Sequence, residues 1–121
     1  MALYAALLYY GEDGGWMDRE HLAEHSAFLA DPVAGEVVRG WQALCAASTA
    51  TTITVGGGPG GDVVITDGPY AEAKEVLGGF YLLEAADLDE AIRWAARIPA
   101  AWRGKIEVRP VLPVNPAAAW P

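Results

Sequence analysis

The sequence predicts a single α+β domain whose elements follow the order β-α-β-β-β-α-β. Three observations predict this class: an opening strand that is apolar on both faces, two segments with helical periodicity, and a β-branched hairpin between them. The chain has 121 residues, of which 53% are hydrophobic and 20% are charged. That length and composition suit one domain with a buried core and exclude a disordered chain.

The first strand and the first helix are predicted at residues 3–10 and 18–30. The strand (LYAALLYY) has apolar side chains at both alternating sets of positions, so it must be covered on both faces. Asp18 is a suitable N-cap for the helix, and Asp31 followed by Pro32 ends it, because the residue before a proline avoids the helical region. The predicted buried stripe of this helix consists of Leu22, Ser26 and Leu29.

The middle of the chain is predicted to be mostly strand. The glycine-rich segment 56–61 joins two of these strands as a hairpin connection. Asp67 opens a turn, after which a short helix over 71–77 is expected to stop at Gly78. The predicted strands here are residues 36–44, 50–55 and 62–66.

The last part of the chain is predicted as strand, helix and strand, at 80–85, 87–98 and 105–112. The helix begins with the pattern of a capping box. Pro110 interrupts the final strand, which favours a position at the sheet edge. The predicted boundaries are 1–112 for the domain and 113–121 for a proline-rich tail.

The predicted sheet has more apolar surface than its helices can cover. Two long helices cover only one face of such a sheet. The other face, to which we assign Tyr4, Leu8 and Phe80, needs a second cover. A second copy of the same sheet would supply it, so we expect a sheet-to-sheet homodimer.

Composition excludes several classes of partner. The formal net charge of −8 argues against binding to a phosphate backbone, and no nucleic-acid partner is expected. Cys45 is the sole cysteine, so neither an internal disulfide nor a multi-cysteine metal site can form, which fits a reducing cytoplasm. The apolar opening is too short to span a bilayer, and no membrane association is expected.

One segment resembles a known family signature. Residues 66–81 (TDGPYAEAKEVLGGFY) are similar to the YCII-related, DGPF-type pattern of DGP plus an aromatic residue, E-x-K-E, and LGG plus an aromatic residue. The segments WAARIP at 94–99, EVRPV at 107–111 and LLYYG at 7–11 agree with it. The resemblance implies a ferredoxin-like β-α-β-β-β-α-β sandwich that pairs into a dimeric α/β barrel. It also implies a link to small-molecule enzymes, among them a dehydrochlorinase, to a His-Asp active-site pair, and to sigma-factor regulation.

Two histidines in the first helix are the strongest candidates for chemistry. His25 lies three residues after Leu22 and four before Leu29, so it is predicted on the buried stripe, where it could act as a general acid or base. The alternative is a core histidine that donates to a backbone carbonyl. His21, one turn earlier, is expected closer to solvent. No third ligand stands at metal-site spacing, so no metal is predicted.

Asp67 is the candidate partner of His25. Its carboxylate could orient the imidazole, or it could only hydrogen-bond the backbone of its own turn. The predicted substrate-binding residues are Tyr9, Trp41, Tyr70, Lys74 and Arg109. Tyr9 and Trp41 would contact a flat ligand, while Arg109 would either bind a carboxylate or pair with Glu75.

These features support two functions. The first is a lyase, isomerase or cyclase that needs no cofactor and moves protons on a small aromatic or enolisable molecule. The second is a non-catalytic dimeric module that binds a ligand or a protein. An enzyme requires His25 to face a cavity with a carboxylate in reach, whereas a binding module would have it packed among leucines.

Overall fold

The computed structural model describes residues 1–12, 15–71 and 74–113. Most elements are joined by short connections, and 3₁₀ turns occur at Gly15–Met17 and Ala47–Thr49. No helix in these ranges is long and apolar enough to cross a membrane. The elements are β1 (Ala2–Gly11), α1 (Arg19–Ala30), α2 (Pro32–Val37), β2 (Val38–Ala43), β3 (Thr51–Gly56), β4 (Asp62–Asp67), β5 (Glu75–Ala85), α3 (Leu88–Ala95), α4 (Ala100–Arg103) and β6 (Lys105–Pro110).

Four strands form an antiparallel sheet in the order β2-β5-β1-β6. Each outer strand follows a helical connection, which gives the α+β ferredoxin-like topology that was predicted. β6 lies at an edge, as Pro110 indicated. Within the described residues the strands β3 and β4 pair only with each other, in a second sheet, and the six strands correspond to the six predicted strand segments.

The helices cover one face of the main sheet. Tyr4, Ala6, Leu8 and Tyr10 of β1 point into the core beneath them, so the assignment of Tyr4 and Leu8 to the uncovered face is wrong. The alternate side chains are only half-buried in a single chain. This second set comprises Ala5, Leu7 and Tyr9 of β1 with Phe80 and Leu82 of β5.

The predicted N-caps are confirmed. Asp18 accepts a hydrogen bond from the Glu20 amide at 2.8 Å, and Asp87 accepts one from the Glu90 amide at 2.8 Å. Glu90 also accepts from the Ala86 amide at 2.9 Å, one residue before the N-cap, a bond similar to that of a capping box. These caps fix where α1 and α3 begin.

Two boundaries in the first half were not foreseen. Asp31 ends α1, as predicted, but its carboxylate also caps α2 by accepting from the Val33 amide at 2.9 Å. Pro32 then occupies the first turn of α2, where a proline is well tolerated. The strand predicted from residue 36 therefore begins only at Val38.

The helix predicted over 71–77 is wrong. Residues 75–77 belong to β5, which pairs with β1, while 72–73 lie outside the described residues. Gly78 does not stop a helix but allows close packing, since a Cβ atom there would lie 2.7 Å from the Tyr10 ring and 2.9 Å from the Trp16 ring. The tail at 114–121 also lies outside the described residues, and the boundary at residue 112 stays a prediction.

Candidate functional site

The buried face of α1 is formed by His21, His25 and Phe28 rather than by the predicted leucines. His21 is 0% and His25 2% exposed, whereas Leu22 is 37% exposed. The expectation that His21 lies nearer to solvent is therefore wrong. Apolar side chains are spread around this helix, so their pattern does not determine which face is buried. The imidazoles are buried because hydrogen-bond partners lie beside them in the core.

Four buried side chains form one continuous hydrogen-bonded network. The Tyr10 hydroxyl lies 2.7 Å from Nε2 of His21, and that nitrogen lies 3.1 Å from Nε2 of His25. Nδ1 of His25 lies 2.5 Å from the Tyr81 hydroxyl. The network thus links β1, α1 and β5 through polar groups alone.

At its outer end the network reaches a carboxylate at the surface. Oε1 of Glu24 lies 3.5 Å from Nδ1 of His21. The guanidinium of Arg103 lies 2.6 Å from the same oxygen, and the Trp102 indole N–H donates to Oε2 at 3.4 Å. Two groups of α4 therefore hold this carboxylate beside the buried histidine.

One set of protons accounts for most of the network, although Nδ1 of His21 is buried 3.5 Å from Glu24 without a hydrogen-bond partner among the described residues. The carboxylate of Glu24 favours a proton on Nδ1 of His21, which leaves Nε2 as an acceptor. The single lone pair on Nε2 of His21 then faces two donors, the Tyr10 hydroxyl and Nε2–H of His25, which share it. Nδ1 of His25 accepts from the Tyr81 hydroxyl. Each of the four buried side chains is neutral in this arrangement.

Burial keeps these groups neutral near pH 7. Desolvation, assisted by the charge of a protonated His21, lowers the pKa of His25 to about 4. Desolvation also lowers the pKa of His21, although its hydrogen bond to Glu24 acts in the opposite direction. Burial raises the pKa of Tyr10 to about 12, against the charge of Arg103, and it raises the pKa of Tyr81 as well.

His25 also faces a small cavity beside an aromatic cluster. Its ring stacks on Trp41, with centroids 5.7 Å apart and planes 8° apart, and Tyr81 stacks on both. The cavity has a volume of about 10 Å³, which is roughly the room that a single water molecule needs. Its walls include Tyr10, Trp16, Trp41 and Gly78.

A larger groove lies on the other side of Trp16. It measures about 1170 Å³, which is large enough for a small organic ligand. Trp16 lines both spaces; its ring stacks on Tyr10 at 5.4 Å, and its indole N–H donates to the Leu44 carbonyl at 2.9 Å. Three predicted binding residues line this groove: Tyr9, Tyr70 and Lys74.

The structure does not bring all the predicted site residues together. Asp67 ends β4, is exposed, and has no hydrogen bond to His25 within the described part of the chain. Arg109 is exposed on β6, opposite Ala5 of β1. Within the chain Glu75 pairs with Lys105 at 2.8 Å, so an intrachain pair of Arg109 with Glu75 is wrong, while a pair across an interface stays a prediction.

Sequence reasoning missed several residues that build the site: Tyr10, Trp16, Glu24, Tyr81 and Arg103. The period of two along β1 and β5 could have placed Tyr10 and Tyr81 on the helix-covered face. Among the residues described, no set of three or more His, Cys, Asp and Glu side chains is placed to hold a metal ion.

Comparison with known proteins places this architecture in a family. A protein of Rhizobium meliloti (strain 1021), itself uncharacterised, is 45% identical over 58 residues, which are 46% of this chain and 47% of that protein. This match therefore spans about half the length of the curated relative. Among solved structures, a 5-chloro-2-hydroxyhydroquinone dehydrochlorinase of Burkholderia phenoliruptrix AC1100, in complex with 2,5-dihydroxybenzoquinone, has a TM-score of 0.47 at 20% identity, over 88% of this chain and 90% of that one.

The model of the YCII-related domain matches residues 2–115 and confirms the resemblance of the DGP segment. The chain belongs to the YCII-related domain family.

Proposed function

We propose that this protein is a small-molecule lyase, isomerase or cyclase in which His25 transfers a proton without a cofactor. The observation that carries the proposal is the position of His25: a neutral imidazole at the wall of a cavity, stacked on Trp41 and hydrogen-bonded through both ring nitrogens. A neutral imidazole can accept a proton, and here the accepting atom would be Nδ1 once the Tyr81 hydroxyl turns away from it. The indole beside it offers a flat apolar surface for an aromatic substrate.

The low pKa of His25 sets a condition on the substrate. With a pKa of about 4, the imidazole is a weak base while the site is empty. A substrate that develops an oxyanion beside the ring would raise this pKa towards neutrality, because a nearby negative charge favours the imidazolium. Enolisable and hydroxyaromatic molecules meet this condition, since removal of a proton leaves an enolate or a phenolate.

In this proposal the substrate binds in the groove and reaches His25 past Trp16. Tyr9 and Tyr70 would contact its ring, and Lys74 would pair with its oxyanion. Lys74 suits that role because it has no ion pair with any described residue. Trp16 must move, because the cavity beside His25 has room for about one water molecule.

A homodimer belongs to the same proposal. The face that carries Leu7, Tyr9 and Phe80 is only half-buried by the described residues of one chain, and a second sheet packed on it would bury these side chains. Asp67 and Arg109 remain candidates for a catalytic and a binding role in such an assembly. Both are exposed and therefore accessible to a substrate or to a second copy.

A non-catalytic ligand-binding module is the second candidate function. The specific observation in its favour is that both nitrogens of His25 already have partners inside the protein. A network that is satisfied in this way could serve only to fix the position of α1 on the sheet. The wide groove would then bind its ligand without any proton transfer.

Proton exchange separates the two functions. The protein would be incubated in D₂O with a panel of enolisable carbonyl compounds and hydroquinones, and deuterium incorporation would be followed by NMR. We expect incorporation with the unaltered chain, its loss in His25→Gln, and its retention in Ser26→Ala, an exposed change on the same helix. Binding of a panel member with equal incorporation in His25→Gln would refute catalysis by His25 and favour the binding module.

A further inference from the structure

We infer that His21 and Glu24 form a proton path between the buried His25 and solvent. The inference rests on the proposed function, which requires His25 to exchange protons in every catalytic cycle. It assigns positioning and relay roles to two residues of α1 that need not touch the substrate. Its physical basis is one line of polar atoms that runs from Tyr81 to the protein surface.

The need for a path follows from the burial of His25. Only 2% of this residue is exposed, and the cavity beside it has room for about one water molecule. A proton taken from a substrate in a closed site therefore cannot pass directly to bulk water. The remaining polar neighbours of the imidazole are the Tyr81 hydroxyl, which is fully buried, and Nε2 of His21.

Two coupled transfers move one proton outward without leaving a charge on His21. Once His25 is protonated, its Nε2–H passes the proton to Nε2 of His21 across 3.1 Å. Nδ1 of His21 then releases its own proton to Oε1 of Glu24, which lies 3.5 Å away. The N–H bonds at Nε2 of His25 and Nδ1 of His21 break, while an N–H bond forms at Nε2 of His21 and an O–H bond forms on Glu24.

The second transfer needs a small motion. Proton transfer requires a hydrogen bond near 3 Å, so the contact between Nδ1 and Oε1 must shorten by roughly 0.5 Å. A rotation of the Glu24 side chain is sufficient for this, because its carboxylate is 31% exposed. Water then removes the proton from the carboxylate. The reverse pair of transfers, in which Glu24 reprotonates Nδ1 of His21 and Nε2 of His21 returns its proton to Nε2 of His25, brings a solvent proton back and restores the first tautomer of His21.

The groups around His21 favour this direction. Arg103 holds Glu24 in place at 2.6 Å. The positive charge of its guanidinium disfavours a proton on the Glu24 carboxylate, so the proton passes on to water. The Tyr10 hydroxyl lies 2.7 Å from Nε2 of His21. Burial raises the pKa of Tyr10 to about 12, so this hydroxyl stays protonated and takes no part in the transfer. Asp18 and Arg103 are the other charged groups that act on His21.

Glu20 provides a matched control for Glu24. Both carboxylates lie on α1 and face Arg103, at 3.9 Å for Glu20 and 2.6 Å for Glu24. Only Glu24 contacts His21. The Glu20→Gln and Glu24→Gln variants therefore change the net charge equally beside Arg103, although Glu24→Gln also removes the closer ion pair, and only the second interrupts the path.

The test measures exchange of the His25 Nε2 proton with water, by saturation-transfer NMR on ¹⁵N-histidine-labelled protein at neutral pH, with no substrate present. We expect Glu24→Gln to slow this exchange by about tenfold or more, and Glu20→Gln to leave it within about twofold of the unaltered rate. Glu24→Asp, whose carboxylate falls short of Nδ1, should also slow it. Equal rates in all three variants, or equal slowing by Glu20→Gln, would overturn the path.

The outcome does not depend on whether the protein is an enzyme. If the exchange follows Glu24 but His25→Gln leaves deuterium incorporation into substrates unchanged, the path stands and the proposed function fails. If incorporation requires His25 but the exchange ignores Glu24, the proposed function stands and the path fails.

Discussion

The stability of this protein should fall steeply between pH 7 and pH 5 because of His25. In the folded state burial holds the pKa of this imidazole near 4, whereas the unfolded chain has the ordinary value of 6.5. Below pH 6.5 the unfolded state therefore binds a proton on His25 that the folded state does not. The free energy of unfolding decreases as the pH falls through this window, and the loss is complete only below pH 4.

The size of the effect follows from the gap between the two pKa values. Each factor of ten in proton affinity corresponds to about 1.36 kcal/mol, so the gap between 6.5 and about 4 corresponds to about 3.4 kcal/mol in total. At pH 5 the linkage relation gives a loss of about 2 kcal/mol relative to pH 7.5. The full value applies because His25 is only 2% exposed, so water does not screen its environment.

Urea unfolding at pH 7.5 and pH 5, followed by Trp fluorescence, measures this loss. His25→Gln removes the titrating group and keeps a neutral polar side chain, so it should lose about 2 kcal/mol less than the unaltered chain over the same interval. Ser26→Ala should lose as much as the unaltered chain. Equal losses in His25→Gln and the unaltered chain would refute a buried neutral His25.

Three further predictions concern packing, capping and assembly. Gly78→Ala should lower the free energy of unfolding by about 1–3 kcal/mol and alter Trp fluorescence, because its Cβ would press on the Tyr10 and Trp16 rings; an unchanged spectrum would contradict that contact. Asp87→Ala should cost about 1 kcal/mol in urea unfolding through loss of the α3 cap, and a cost near zero would mean that the cap is not needed. Leu7→Glu should convert a homodimer to monomers in size-exclusion chromatography with light scattering, and an unaltered mass would argue against the sheet-to-sheet interface.

Local signals predicted most of the fold. Asp18 and Asp87 precede periodic segments, and they cap α1 and α3 as expected. The β-branched run at 50–55 and the glycine segment 56–61 also produce the predicted hairpin. Such features depend on interactions within a few residues along the chain, so one sequence is enough to find them.

Tertiary contacts decided the features that were predicted wrongly. Residues 75–77 favour a helix locally, but their pairing with β1 makes them the beginning of β5. Likewise α1 turns His21 inward, against the prediction, because Tyr10 offers a hydrogen bond from a distant part of the sequence. His25, which was predicted to be buried, is bonded by Tyr81 in the same way. The residue pattern of the helix contains no information about the positions of those hydroxyl groups.

The two failures lie on either side of the same site. The rotated face of α1 supplies the histidines, and the extended start of β5 brings Gly78 against Tyr10 and Trp16, which line the cavity beside His25. A leucine at each histidine position would fill the core without a desolvation cost and would agree with the local pattern. A sequence that keeps imidazoles at these positions has a lower free energy of unfolding at low pH, a cost that the proposed proton transfer by His25 would explain.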